Sequence, residues 1–353
     1  MNLLITGAAG FIGSNYTLHR HKNAPDDYIV AFDSLTYAGN RRNLAELEGD
    51  SRFVFIEGSI CDRLLVESTL RDHRIDLVVH FAAESHVDRS IDGPDAFIET
   101  NVVGTHILLQ SCKAVWEGSG SAVDGHFHHV STDEVYGSLG PGDPAFCEQT
   151  QYAPNSPYAA SKAASDHLVR AYHRTYGLKV TTSNCSNNYG PFQFPEKLIP
   201  LCILNVLYGR PLPIYGNGKQ IRDWLHVDDH CRAIDSVIAK GVAGDTYNVG
   251  GNNEWANIDV VKLLCAMLDS QFIKNRALAR RFPESPCASG VPSSTLIQFV
   301  TDRPGHDTRY AINAEKIRGE LGFEPADSFE SGLARTIDWY LNNESWWKAA
   351  QSD

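Results

Sequence analysis

Thr132-Asp133-Glu134 places a hydroxyl and two carboxyl groups at consecutive positions. A carboxylic acid can protonate a leaving group while a neighbouring carboxylate removes a carbon-bound proton; acting together, such a pair eliminates water. Downstream, Tyr158 and Lys162 are four residues apart in a helical pattern and share one face. A phenol with a pKa of ~10 is a poor base at neutral pH. A nearby ammonium favours the phenolate and lowers that pKa, so such a tyrosine can take a hydroxyl proton while hydride leaves for a nicotinamide. Y-x-x-x-K recurs by chance in helices, and adjacent acids also cap turns, so each motif depends on its context.

That context begins at the amino-terminal glycines. Gly7-Ala-Ala-Gly10-Phe-Ile-Gly13 follows the first apolar run and opens the first helical pattern. A turn in that place aims backbone N–H groups and a positive helix end at a pyrophosphate, and glycines let the backbone come close. The spacing is G-x-x-G-x-x-G, not the commoner G-x-G-x-x-G, and glycine turns between strand and helix also serve purely structural ends. Asp33 ends the second candidate strand, 33 − 13 = 20 residues past the last glycine. An acid there accepts hydrogen bonds from an adenosine ribose and repels a 2′-phosphate, favouring NAD over NADP; a turn or cap aspartate is the alternative. Ala82-Ala83-Glu84 follows the fourth strand, at the carboxyl edge where ligands bind in doubly wound folds.

The elements that must position these groups alternate. Candidate strands are 2–6, 28–33, 52–57, 77–81, 126–131 and 179–184, with helical patterns near 11–21, 62–72, 94–116 and 156–176. Strands separated by helical crossovers imply an α/β fold, a Rossmann-like doubly wound parallel sheet. Past Asn184 the pattern loosens. Asn187-Asn188-Tyr189-Gly190-Pro191 reads as a loop, 194–208 as a helix with Pro195 in its first turn, 227–240 as a helix and 246–249 as a strand returning to the sheet. Residues 276–300, with three prolines and Gly290, read as an irregular insertion. The expected division is an NAD-binding domain of 1–185 plus about 225–250, and a smaller mixed α/β lobe of 186–224 plus about 251–353.

Bulk properties narrow the class. The chain has 353 residues, 42% hydrophobic and 21% charged, as in ordinary globular enzymes. A net charge of −12 argues against nucleic acid as a partner. A local convergence of Arg and Lys leaves room for a small anionic substrate. No apolar stretch approaches the ~20 residues of a membrane span, and the apolar run at the amino terminus is too short for a signal peptide. Eight scattered cysteines without C-x-x-C argue against a metal or disulfide framework. The expectation is a cytoplasmic protein with reduced thiols.

Taken together the motifs resemble the extended short-chain dehydrogenase/reductases, and within them the dTDP-glucose 4,6-dehydratases. The matching residues span nearly the whole chain: Gly7 to Gly13, Asp33 to Asn40, Phe81 to Ser90, Val130 to Gly137, Pro157 to Lys162, Asn184 to Pro191, Pro195 to Pro200, Ile221 to His230 and Asp302 to His306. Thr132-Asp133-Glu134 discriminates, because related sugar epimerases resemble the scaffold but lack the acid pair.

The resemblance implies roles residue by residue. Tyr158 removes the C4 hydroxyl proton, Thr132 hydrogen-bonds near that hydroxyl, and Lys162 holds the ribose and tunes Tyr158. Glu134 removes the C5 proton and Asp133 protonates the departing C6 hydroxyl. Tightly bound NAD, regenerated each cycle, is held by Gly7, Gly10, Phe11, Ile12, Gly13, Asp33, Ser34, Leu35, Thr36, Ser59, Ile60, Phe81, Ala82, Ala83, Ser85, Thr100, Tyr158, Lys162 and Asn188. The nucleoside-diphosphate sugar is held by Ser85, Thr132, Asn187, Lys197, Leu198, Pro213, Ile214, Tyr215, Arg222, Asn257, Asp302, Arg303 and His306; Arg suits a diphosphate because its fork binds two oxygens at once. Ser59-Ile60 departs from the family's acid beside isoleucine, which bears on how firmly the adenine is held. Trp255, Trp346 and Trp347 read as packing residues. The resemblance also implies a homodimer joined through the helices near 94–116 and 156–176. The competing readings are a nucleotide-sugar 4-epimerase or decarboxylase on the same scaffold, and an inert NAD-sensing scaffold protein.

Overall fold

The computed structural model describes residues 1–118, 124–302 and 305–351. The apolar runs that alternate with helical patterns form a seven-stranded parallel sheet. Its strands are β1 (Asn2–Thr6), β2 (Tyr28–Asp33), β3 (Phe53–Glu57), β4 (Leu77–His80), β5 (His126–Thr132), β6 (Lys179–Cys185) and, past the shorter β7 (Asn187–Tyr189), β8 (Leu212–Tyr215) and β9 (Ile221–His226), β10 (Thr246–Val249). The order is β3-β2-β1-β4-β5-β6-β10, so it reverses between β1 and β4. The crossovers leaving these two strands diverge there and open a crevice at their carboxyl ends.

Both faces are covered, and the side-chain alternation of β1 shows how. Leu4 joins Val30, Val78 and Phe127 in a cluster under α2 (Arg63–Asp72), α3 (Thr105–Gly118) and α4 (Pro157–Tyr176). Leu3 and Ile5 join Ile29, Ala31 and Val79 on the opposite face, beneath α1 (Phe11–Asn23) and Tyr16. The strand β5 is wholly buried although it reads His-Phe-His-His-Val-Ser-Thr. Its imidazoles find partners on neighbouring elements: His126 and His128 share the Thr181 hydroxyl of β6 at 2.9 Å each, and His129 Nε2 meets Asp166 of α4 at 3.0 Å.

A separate core packs Ile199, Ile203 and Leu207 of α5 (Leu198–Leu207) against Val260, Leu264 and Leu268 of α7 (Asn257–Lys274) and Leu333 of α8 (Phe329–Asn342). The helix α6 (Val227–Lys240) precedes α7 and, with β10, returns the chain to the large sheet, as its pattern predicts. Trp347 is fully buried in this second core; Trp255 and Trp346 pack against it. Two small sheets complete this part of the chain: β11 (Glu254–Ala256) with β9 and β7, and β12 (Ile297–Val300) with β8. Among the described residues no helix is long and apolar enough to cross a membrane.

Four segments differ from their sequence expectation. Asn187–Tyr189 is a strand pairing with β9, a partner too distant in sequence for a local pattern to reveal. The helix expected from 194 begins at Leu198; Pro195 lies before it, and Pro200 occupies the first turn, where a missing N–H costs nothing. The single helix expected over 94–116 is broken into Asp95–Phe97, a π-helical turn Ile98–Gly104, and α3. Residues 276–300 carry a short helix Ala277–Arg281 and the strand β12, whose parallel partner β8 is again remote.

Candidate active site

The crevice is a cleft of about 330 Å³ lined from β1, β2, β4, β5 and the segments that follow them. The loop after β1 is shaped by close backbone approach. Gly7 has φ +68°, and a Cβ there would lie 2.6 Å from Ala82 N. A Cβ on Gly13 would lie 2.1 Å from Gly7 O, so both glycines are required by packing. At Gly10, the N-cap of α1, a Cβ would meet only Gly7 O at 3.3 Å and would otherwise occupy the cleft. A helix N-terminus facing a glycine-lined cradle is a seat for a pyrophosphate. Asp33 stands beside it, accepting from Ala9 N at 2.9 Å and Leu35 N at 2.8 Å. Burial raises its pKa, and those backbone donors oppose the rise.

Phe11, Ile12, Ser34, Thr36, Ser59, Ile60, Phe81, Ala82, Ala83, Ser85, Thr100 and Asn188 line the same cleft. Leu35 is absent from the lining; it contributes backbone at φ +50° and the N–H that Asp33 accepts. Thr100 reaches the cleft from the π-helical turn, whose widened winding also lets Asn101 bond Glu84 and Ser161. Asn188 is oriented by Ser186 O at 2.9 Å and His230 Nδ1 at 3.0 Å.

At the far end, Thr132, Asp133, Glu134, Tyr158 and Lys162 share one wall. Thr132 caps the short turn Asp133–Tyr136, accepting from Glu134 N at 3.3 Å. Asp133 is 1% exposed, and its Oδ2 has no hydrogen-bond partner. Burial pushes its pKa well above the carboxylate range; Glu134 and Asp223 push the same way, and Arg222 and Thr132 oppose. A neutral acid aimed at the cleft is the state that can give up a proton.

Tyr158 behaves otherwise than its spacing to Lys162 predicts. Burial raises its pKa well above the ordinary phenol value, Glu134 adds to the rise, and Thr132 opposes it. The Lys162 ammonium donates to Val130 O at 2.8 Å, and burial lowers its pKa. In the polypeptide alone, desolvation and the neighbouring carboxylate therefore outweigh the lysine.

The remaining expected residues fall into two groups. Asn187 and Lys197 line the cleft; Asn187 Oδ1 is buried without a partner, and Lys197 Nζ donates to Ser85 O at 3.4 Å. Leu198 starts α5 outside the lining. Pro213, Ile214, Tyr215, Arg222, Asn257, Asp302 and His306 lie outside the lining, and Tyr215, Asn257, Asp302 and His306 form a second cluster joined through Gln220. His306 Nδ1 meets Asp302 Oδ1 at 2.6 Å and its ring lies edge-on to Tyr215. Gln220 donates to Asp302 at 2.8 Å, and its carbonyl accepts from Asn257 N at 3.0 Å. Arg222 lies 4.2 Å from the centre of the Tyr310 ring, and Tyr310 and Asp133 both respond to charge at Arg222 and Glu134. Pro213 lies with Tyr215 on β8, and Ile214 is buried in the second core. Arg303 lies outside the described residues. Among the described residues, no group of three or more His, Cys, Asp or Glu is placed to hold a metal ion.

Sequence reasoning missed Gln193, Phe194 and Glu196, which line the cleft from the turn before α5. It also missed Tyr37, whose ring carries the Arg89 guanidinium 3.6 Å from its centre and meets Phe194 edge-on at 5.8 Å. Glu196 and Lys197 lie within the Pro195–Pro200 match, but only tertiary contact brings them to the cleft.

The arrangement matches known proteins over its whole length. A profile of the GDP-mannose 4,6 dehydratase family matches residues 4–336. The dTDP-glucose 4,6-dehydratase of Xanthomonas campestris pv. campestris is 56% identical over 97% of this chain and 94% of its own length. That of Escherichia coli is 51% identical over 99% and 96%. Among solved structures, DesIV of Streptomyces venezuelae, a dTDP-glucose 4,6-dehydratase with NAD and TYD bound, superposes with a TM-score of 0.87 at 46% identity, covering 99% of this chain and 100% of DesIV. The UDP-glucose 4-epimerase of Thermotoga maritima superposes at 0.80 with 26% identity, covering 98% and 100%. On these matches the chain belongs to the dTDP-glucose 4,6-dehydratase family.

Proposed function

We propose that this enzyme dehydrates dTDP-glucose to dTDP-4-keto-6-deoxyglucose for deoxysugar biosynthesis. The observation that carries the reading is Asp133: a buried carboxyl whose pKa burial and its neighbours push well above the carboxylate range, next to Glu134 and lining the cleft with Tyr158 and Lys162. The relatives' activity and the NAD bound in DesIV support substrate and cofactor.

The residues present fit NAD. The Gly10 cradle and α1 terminus take the pyrophosphate, Asp33 the adenosine ribose, Ser59 and Ile60 the adenine side, and Lys162 the nicotinamide ribose. Bound there, NAD would supply the hydride acceptor for oxidation at C4 and the hydride donor for reduction at C6. Tyr158 takes the C4 hydroxyl proton, and Thr132 hydrogen-bonds to the same hydroxyl. The 4-ketone acidifies the C5–H, which Glu134 removes, while Asp133 gives its proton to the departing C6 hydroxyl. Glu134 then returns a proton to C5. The second cluster, with Arg222 and His306, holds the nucleotide and its diphosphate together with Asn187 and Lys197. Residues 1–185 with about 225–250 serve as the NAD-binding domain, and the rest as the nucleotide-sugar lobe. The site in the cell is the cytoplasm.

Two copies pair through the 94–116 segment and α4; exposure of Ile98 (50%) in the π-helical turn before α3 and of Tyr176 (52%) at the end of α4 supports this, and a monomeric mass by light scattering refutes it. The activity test is product mass after incubation with dTDP-glucose and no added cofactor. Loss of one water with NAD retained by the enzyme is expected; an unchanged mass with conversion to an epimer refutes the reading.

A further inference from the structure

A buried polar network runs behind the cleft. Asp166 lies one turn past Lys162 on α4, is 7% exposed and is not among the lining residues. Its carboxylate accepts from His129 Nε2 at 3.0 Å, Ser131 Oγ at 2.9 Å and the Tyr152 hydroxyl at 2.9 Å. His129 and Ser131 flank Val130, whose carbonyl accepts from Lys162 Nζ at 2.8 Å. Three consecutive residues of β5 therefore hold two side chains one turn apart on α4, and the chain continues directly into Thr132, Asp133 and Glu134. The network extends further. Asn184 donates to the hydroxyls of Tyr152 at 3.1 Å and Tyr136 at 3.0 Å, and Tyr136 donates to Asn248 at 2.8 Å. Tyr136 closes the turn that carries the acid pair.

The charges around Lys162 support a specific role. Cys185 on β6, His80 on β4 and His129 on β5 face it. Burial pushes both imidazoles well down and the thiol up to about 12, so these three are neutral at physiological pH. A neutral His129 that donates from Nε2 leaves Nδ1 as a bare acceptor, and that atom has no partner. Asp166 is faced by His129 and Ser131 of β5, Tyr152, and Lys162 and His167 of its own helix. Burial brings its pKa to about 6, with Lys162 opposing the rise. The donors from His129, Ser131 and Tyr152 favour its carboxylate form.

We propose that Asp166 is a positioning residue for the oxidation step: it pins the helix bearing Tyr158 and Lys162 to the strand bearing Thr132, Asp133 and Glu134, and supplies negative charge facing Lys162. The inference rests on the roles given to Tyr158 and Lys162 above. Asp166→Asn keeps the shape and removes the charge. Losing a negative charge that faces an ammonium lowers the ammonium's pKa, so the alkaline limb of kcat for dTDP-glucose dehydration moves to lower pH, by about 1 unit. KM is expected to change less than kcat. An alkaline limb in the wild-type position overturns the proposal. If Asp166→Asn is not recovered folded, Asp166→Glu decides, because it keeps the charge but displaces the carboxylate by a methylene. A several-fold lower kcat at near-constant KM, with the limb in place, is expected, and a wild-type kcat overturns the proposal. A wild-type enzyme with no activity on dTDP-glucose sinks the functional reading and the inference together; an active wild type with an unshifted limb in Asp166→Asn, or a wild-type kcat in Asp166→Glu, sinks the inference alone.

Discussion

Asp133→Asn is the sharpest test of the acid pair. Asp133 is 1% exposed, its Oδ2 meets no partner, and burial, Glu134 and Asp223 push its pKa up, toward the protonated form. Asparagine reproduces a neutral acid in shape but cannot release the proton. General acid catalysis contributes ~10²–10⁴-fold. Because Asp133 is closed off from bulk water, no solvent proton readily replaces its own, which places the loss in kcat at about 10³-fold, or ~4 kcal/mol in the barrier. Oxidation at C4 precedes the elimination, so enzyme-bound NADH is expected to accumulate, read by rapid-mixing absorbance alongside product mass. Stability is expected to move the other way. The folded pKa of Asp133 lies above its unfolded value, so its stabilisation is complete below the unfolded pKa and is lost as pH rises through the folded one. Asp133→Asn is therefore expected to melt at or above the wild-type temperature at neutral and alkaline pH, with the gap closing toward acid. Turnover within ~10-fold of wild type, or absence of bound NADH, refutes the proton-donor role.

Other expectations are simpler to read. Tyr158→Phe removes the acceptor for the C4 hydroxyl proton, so neither product nor transient NADH is expected; NADH formation on mixing with substrate would contradict the assignment. Asp33→Ala removes the carboxylate that Ala9 N and Leu35 N hold in place. Cofactor affinity is expected to weaken by roughly 10- to 100-fold, the scale of one charged hydrogen bond, with relaxed preference over NADP by calorimetric titration. Gly7→Ala forces a Cβ to 2.6 Å from Ala82 N at φ +68°. A loss of ~2 kcal/mol or more in folding stability is expected by denaturant titration, and a neutral result would mean the β1 loop relaxes at little cost.

Much of the site was legible because its signals are local. Gly7 to Gly13 and Asp33 are spaced by strand, turn and helix geometry, and the cleft gathers them where that spacing implies. The acid pair was equally plain, since three adjacent residues need no folding to be neighbours. Segments whose partners are remote were not legible. Asn187–Tyr189 pairs with β9 and Ile297–Val300 with β8, and neither three- nor four-residue run carries a pattern that distinguishes strand from loop. The π-helical turn at 98–104 was hidden for a related reason: its apolar spacing suits an ordinary helix, and the wider winding is a matter of backbone bonding that residue types do not announce.

The sequence by itself determined which groups are available for chemistry, the alternation that builds a parallel sheet, and the turn that seats a pyrophosphate. These follow from residue type and short spacing, which act through local backbone geometry. The tertiary structure alone decided the ionisation of those groups. Asp133 is an acid because it is buried beside Glu134 and Asp223, a residue 223 − 133 = 90 positions away. Tyr158 is raised, not lowered, because burial and then Glu134 act on the phenol, while Lys162 donates to the Val130 carbonyl. Desolvation and charge coupling depend on what packs around a group from every element, and no spacing along the chain encodes that.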